Sequence, residues 1–90
     1  MNTSNNYTTA LANNSVQAQR ARLLAYLKKH GKITTIRAKE FLNIYDPPAR
    51  KFELCHDYGY NITTSWVNAV NAQGFTHRVG LYVLEHKEKE

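Results

Sequence analysis

Ninety residues hold a single cysteine, two prolines, four glycines and only seven carboxylates. With Cys55 alone, no internal disulfide can form, and nothing points to an oxidising compartment. Cys55 sits beside Phe52 on the apolar side of a helical stretch and reads as a small buried hydrophobe, not a reactive thiol. No apolar run approaches the roughly 18 residues of a membrane span. The opening MNTSNNYTTALANN lacks a basic start and a long apolar stretch, so it does not read as a signal peptide. These absences lead to the expectation of a cytoplasmic protein without membrane contact.

The chemistry of catalysis is equally sparse. The four histidines (His30, His56, His77, His86) are scattered, and none pairs with a second Cys or His at metal-ligand spacing. His56 follows Cys55 directly, so on a helix the two side chains diverge; His56 reads as a partly buried packing residue. There is no phosphate-cradling glycine loop and no nucleophile motif. We therefore expect no enzyme, no cofactor and no metal.

What the sequence does have is positive charge. From Ser15 to Leu84 ten Lys and Arg stand against four Asp and Glu, a net of +6. Such a domain attracts polyanions, of which nucleic acid is the commonest in a cell; charge serving solubility alone is the plainer reading. The length permits one domain with a modest core.

Residues 1–14 are Asn- and Thr-rich, aperiodic and without Arg or Lys, and read as an inert flexible arm. Asn14 or Ser15 caps a first helix whose apolar stripe is Val16, Leu23, Leu24 and Leu27, with Tyr26 at its border. Lys28, Lys29 and His30 suit its negative C-terminal dipole, and Gly31 ends it. Lys32-Ile33 is long enough for one bridge of strand. Thr34 or Thr35 caps a second helix to about Leu42, with Ile36, Ala38, Phe41 and Leu42 available to the core; Asn43-Ile44-Tyr45 turns.

The third helix starts most explicitly. Asp46 is the cap, Pro47 fits the first position, and Gly59 stops the helix. Ala49, Phe52 and Cys55 read as its inward face, and Pro47, Arg50, Lys51, Leu54 and Tyr58 as its outer one. From Tyr60 the period changes to two. Ile62–Val67 and Phe75–Leu84 read as strands joined by Asn71-Ala72-Gln73-Gly74, a β-hairpin. Trp66 within it reads as core or hairpin packing before base stacking.

Three helices followed by a hairpin give an α+β fold in the order of a winged helix-turn-helix with a C-terminal β-hairpin wing, over 15–84, followed by a charged tail at 85–90. On that reading the third helix, 46–58, enters the major groove of double-stranded DNA with Pro48, Arg50, Lys51 and Leu54 facing bases and phosphates. Thr34, Thr35, Arg37 and Lys39 clamp the backbone. Gln73, His77 and Arg78 of the wing, with Asn71, reach an adjacent groove. So small a contact area calls for a homodimer or repeated sites to reach a specific affinity. The second reading is a protein-interaction module on the same fold, with Leu54, Tyr58 and Tyr82 as its apolar patch.

The stretches TTIRAKEFLNIYDPPAR, GYNITTSWVNAV and HRVGLYVL resemble the small helix-turn-helix domains of phage and prophage genomes. The resemblance runs from about Val16 to Leu84. It implies a winged helix-turn-helix fold and a DNA-binding regulator of transcription or excision in the bacterial host cytoplasm, or a module that binds a host or phage protein. Relatives often carry Arg where this chain has Lys51, which keeps the charge but gives up a bidentate fork.

Overall fold

The computed structural model describes residues 14–85. Of the expected arm and tail, only Asn14 and Glu85 fall within that range. The elements run in the order α1 (Val16–His30), β1 (Lys32–Thr34), α2 (Thr35–Glu40), α3 (Pro47–His56), β2 (Ile62–Val70) and β3 (Thr76–Leu84).

Helix α1 begins where Ser15 accepts a hydrogen bond from the backbone N–H of Ala18 at 3.0 Å. It ends in the left-handed Gly31, whose N–H reaches the Leu27 carbonyl. Its inner face carries Leu23 and Leu27, but Val16 lies exposed and the buried position of that first turn belongs to Gln19. The amide of Gln19 is fully engaged. Its Nε2 donates to the Asn14 carbonyl at 2.7 Å, and its Oε1 accepts from Tyr45 N–H at 2.9 Å. A buried amide with both ends paired carries no desolvation penalty, and here it ties α1 to the turn before α3. Asn14 is held too, donating to the Asn43 carbonyl at 2.6 Å and accepting from Arg22. It belongs with the folded domain, not with an arm.

Helix α2 is capped by Thr34, whose hydroxyl accepts from Arg37 N–H. It stops at Glu40, two residues short of the expected end, and Asn43 adopts the positive φ of 57° that its turn demands. Ala38 is buried, but Phe41 is not; its ring lies edge-on to Tyr26 and under the Arg37 guanidinium. The turn residue Ile44 takes the buried place instead.

The sheet has the order β1-β3-β2, all antiparallel. Segment β1 is more than a single bridge: Lys32, Ile33 and Thr34 pair with Val83, Tyr82 and Leu81. Strands β2 and β3 form the expected hairpin. Its turn is clasped by Asn71, whose Oδ1 accepts from the N–H groups of Gln73 and Phe75 at 2.9 and 3.0 Å. The core draws on every element: Leu23 and Leu27 from α1, Ile33 from β1, Ala38 from α2, Ile44 from the turn, Leu54 from α3, Ile62 from β2 and Tyr82 from β3. The proximal end of the hairpin is thus part of the core, and the distal end projects from it.

Candidate nucleic-acid interface

Asp46 caps α3 by accepting from Ala49 N–H at 3.3 Å, with Pro47 at the first turn. The helix is turned differently from the expected orientation. Pro47, Arg50 and Leu54 face inward, while Phe52 is 60 % exposed. Both sets follow helical spacing, so the pattern alone allows either face in.

The inward face places Leu54 in the core and brings a three-membered ion cluster together beside it. Arg50 Nε and Nη2 donate to Glu53 Oε1 and Oε2 at 2.9 and 2.8 Å, a bidentate fork. Glu53 Oε1 also accepts from Arg20 Nη1 on α1 at 3.0 Å. A largely buried Arg50 side chain, 11 % exposed, is tolerable because its charge is met within the same helix. Arg50 holds the Glu53 carboxyl below its ordinary range; burial opposes this, and Arg20 adds to it. The hydrogen bond that Arg20 donates to Glu53 in turn raises the Arg20 guanidinium. Arg50 and Leu54 are therefore structural residues, withdrawn from the surface the sequence assigned them. Leu54, at 2 % exposure, can reach neither a thymine methyl nor a partner. Tyr82 is buried as well, so the apolar patch expected of Leu54, Tyr58 and Tyr82 does not form. Burial pushes the Tyr82 phenol up to about 12, with the charge of Asp46 adding to it.

The outer face of α3 carries Pro48, Lys51 and Phe52, and it looks onto a groove of about 690 Å³ between the helix and the hairpin. Thr35 and Lys39 of α2, Thr64 and Trp66 of β2, and Arg78 and Gly80 of β3 line the rest. A second groove of about 700 Å³ runs between α2 and the distal hairpin and gathers Thr34, Arg37, Lys39, His77 and Arg78. Lys39 and Arg78 border both grooves. Of the residues singled out in the sequence, Thr34, Thr35, Arg37, Lys39, Pro48, Lys51, His77 and Arg78 are thus brought to one continuous region. Gln73 is exposed at the hairpin turn.

Sequence reasoning passed over Phe52, Tyr45 and Trp66 as groove residues. For Trp66 the signal lay across the strand pair. It stands opposite Gly80, where a Cβ would come within 3.9 Å of the indole and 3.2 Å of Thr35 Cγ2. The tight neighbour is Thr35, so the bare glycine lets α2 approach the sheet beside the indole. Phe52 gave no such signal.

Cys55 is half-buried and its thiol faces the Ile62 carbonyl at 3.5 Å. Among the described residues, no group of three or more His, Cys, Asp or Glu is placed to hold a metal ion. None of their helices is long and apolar enough to cross a membrane.

A family model described as a winged helix-turn-helix domain matches residues 18–87. That span includes all of the helices but the first residues of α1, and the entire hairpin. Neither the curated proteins nor the solved structures yield a match.

Proposed function

The chain belongs to the winged helix-turn-helix family, and on that premise we propose that it binds duplex DNA with the outer face of α3 in the major groove. The observation that carries this reading is the gathering of Lys39, Lys51 and Arg78 around the groove between α3 and the hairpin, with Arg37 in the adjoining one. Pro48 lies toward the bases. Lys51, Lys39, Arg37 and Arg78 lie toward the phosphates, and Thr34 and Thr35 add hydroxyls near them. The distal hairpin supports the same reading, since no Asp or Glu occurs from Tyr58 to Leu84. A polyanion meets no repulsion there.

On its resemblance to phage and prophage domains, the protein acts in a bacterial cytoplasm as a regulator of transcription or excision. Its small contact surface reaches a specific site as a homodimer or on repeated sites. The test is fluorescence anisotropy with random-sequence duplex DNA over a salt series. Four phosphate contacts give a slope of about −3.6 in log affinity against log salt. No binding at low salt overturns the proposal.

A further inference from the structure

The groove between α3 and the hairpin also holds side chains that gripping a duplex backbone does not use. Trp66 is 62 % exposed on its wall, and Phe52 and Tyr45 line it with comparable exposure. Three large aromatics left to water in one groove forgo a considerable hydrophobic gain, which marks the groove as a surface that is covered when the protein works. Trp66 is held in place while most of it stays in solvent. It stands opposite Gly80 across the strand pair, and the Arg78 guanidinium stands over its ring at 5.8 Å from the centroid.

The charge around these rings says what covers them. Lys39, Lys51 and Arg78 line the same groove, and the one carboxylate there, Asp46, already caps α3. An apolar peptide side chain would satisfy the walls and leave three cations without counter-charge. A nucleotide satisfies both, because its base offers a π-face and its phosphates are anions.

We propose that this groove takes an unpaired nucleotide of the bound DNA, its base stacked on Trp66 and its flanking phosphates held by Lys39, Lys51 and Arg78. The proposal rests on the duplex reading and adds a preference to it. A base within an intact stack has both faces occupied, whereas a bulged base is free to leave at least cost.

The experiment compares an intact random-sequence duplex with the same duplex carrying one unpaired thymidine. Binding is read by anisotropy and by the emission of Trp66, the one tryptophan of the chain. The bulged duplex is expected to bind about tenfold tighter, as stacking one base on an aromatic side chain implies, and to quench the tryptophan. Trp66→Leu brings the ratio of the two affinities to about one, and Trp66→Phe, which keeps a ring, restores part of it. Equal affinities, unchanged emission at saturation, or a preference that survives Trp66→Leu each overturn the inference. Equal binding to both duplexes leaves the duplex reading standing and removes only this one. Binding to neither removes both, and binding to the bulged duplex alone keeps the groove assignment and overturns the major-groove assignment.

Discussion

In the helical body, Arg20, Arg22 and Arg50 each end on an acceptor inside the fold: Glu53 for the first and last, the Leu42 carbonyl for Arg22. Across the molecule, Lys39, Lys51 and Arg78 border the grooves beside the hairpin, and among the described residues none of them forms an ion pair. Arg50 and Lys51 are adjacent in sequence and fall on opposite sides of this divide. The difference teaches that a cation's role here follows from whether an acceptor within the fold, carboxylate or carbonyl, lies within its reach. Glu53 is the acid that claims Arg50, on the face of α3 that also buries Leu54. The hairpin repeats the contrast along its length, since Ile62 and Tyr82 are core residues while Trp66 and Phe75 stand in solvent.

The comparison breaks most visibly at Leu54. Leu54→Ala should cost about 2–5 kcal/mol of stability through the cavity it leaves, measured by denaturant unfolding. Were Leu54 the outward residue that its spacing allows, the loss would fall within about 0.5 kcal/mol, as for surface changes generally.

A smaller effect separates the neighbours. Arg50→Ala should destabilise by about 1–3 kcal/mol, because it strips a partly buried carboxylate of its fork. Lys51→Ala should leave unfolding nearly unchanged and lower the magnitude of the salt slope of DNA binding by about one. Reversed outcomes would restore the opposite orientation of α3.

The smallest effect is a titration. Arg50 holds the Glu53 carboxyl below its ordinary 4.5 in the folded state. The stability this contributes is complete above 4.5 and is lost as pH falls through the depressed folded value. Glu53→Gln should flatten that part of the acid limb of a stability–pH curve, leaving the neutral-to-alkaline part parallel to the parent. An unchanged acid slope would show that the cluster is not coupled to folding.

Local signals carried most of the fold. Ser15, Thr34, Asp46-Pro47, Gly31 and Asn43 act through their own backbone neighbours, so their roles can be read from a few adjacent residues. The hairpin was legible for the same reason. The orientation of α3 was not, because the contacts of its inward face include that of Glu53 with Arg20, thirty-three residues away. Gln19 escaped notice because an amide enters a core only when both its ends find partners, and those partners are the Asn14 carbonyl and the Tyr45 N–H. Segment β1 looked too short to matter because its pairing partners, Leu81, Tyr82 and Val83, lie far along the chain. For the candidate interface, the cations other than Arg50 were legible as charges. The aromatics between them were not, since exposure cannot be read from residue type.

The placement of β3 at the middle of the sheet has a consequence for how the molecule is made. Strands β1 and β2 pair only through β3, the last of the described elements, and Leu84 N–H closes on the Gly31 carbonyl at 2.9 Å. During synthesis the three helices and two strands emerge first, with Ile33 and Ile62 lacking the Tyr82 that joins them in the core. The sheet and the part of the core that Tyr82 joins therefore close only once residues 76–84 are free.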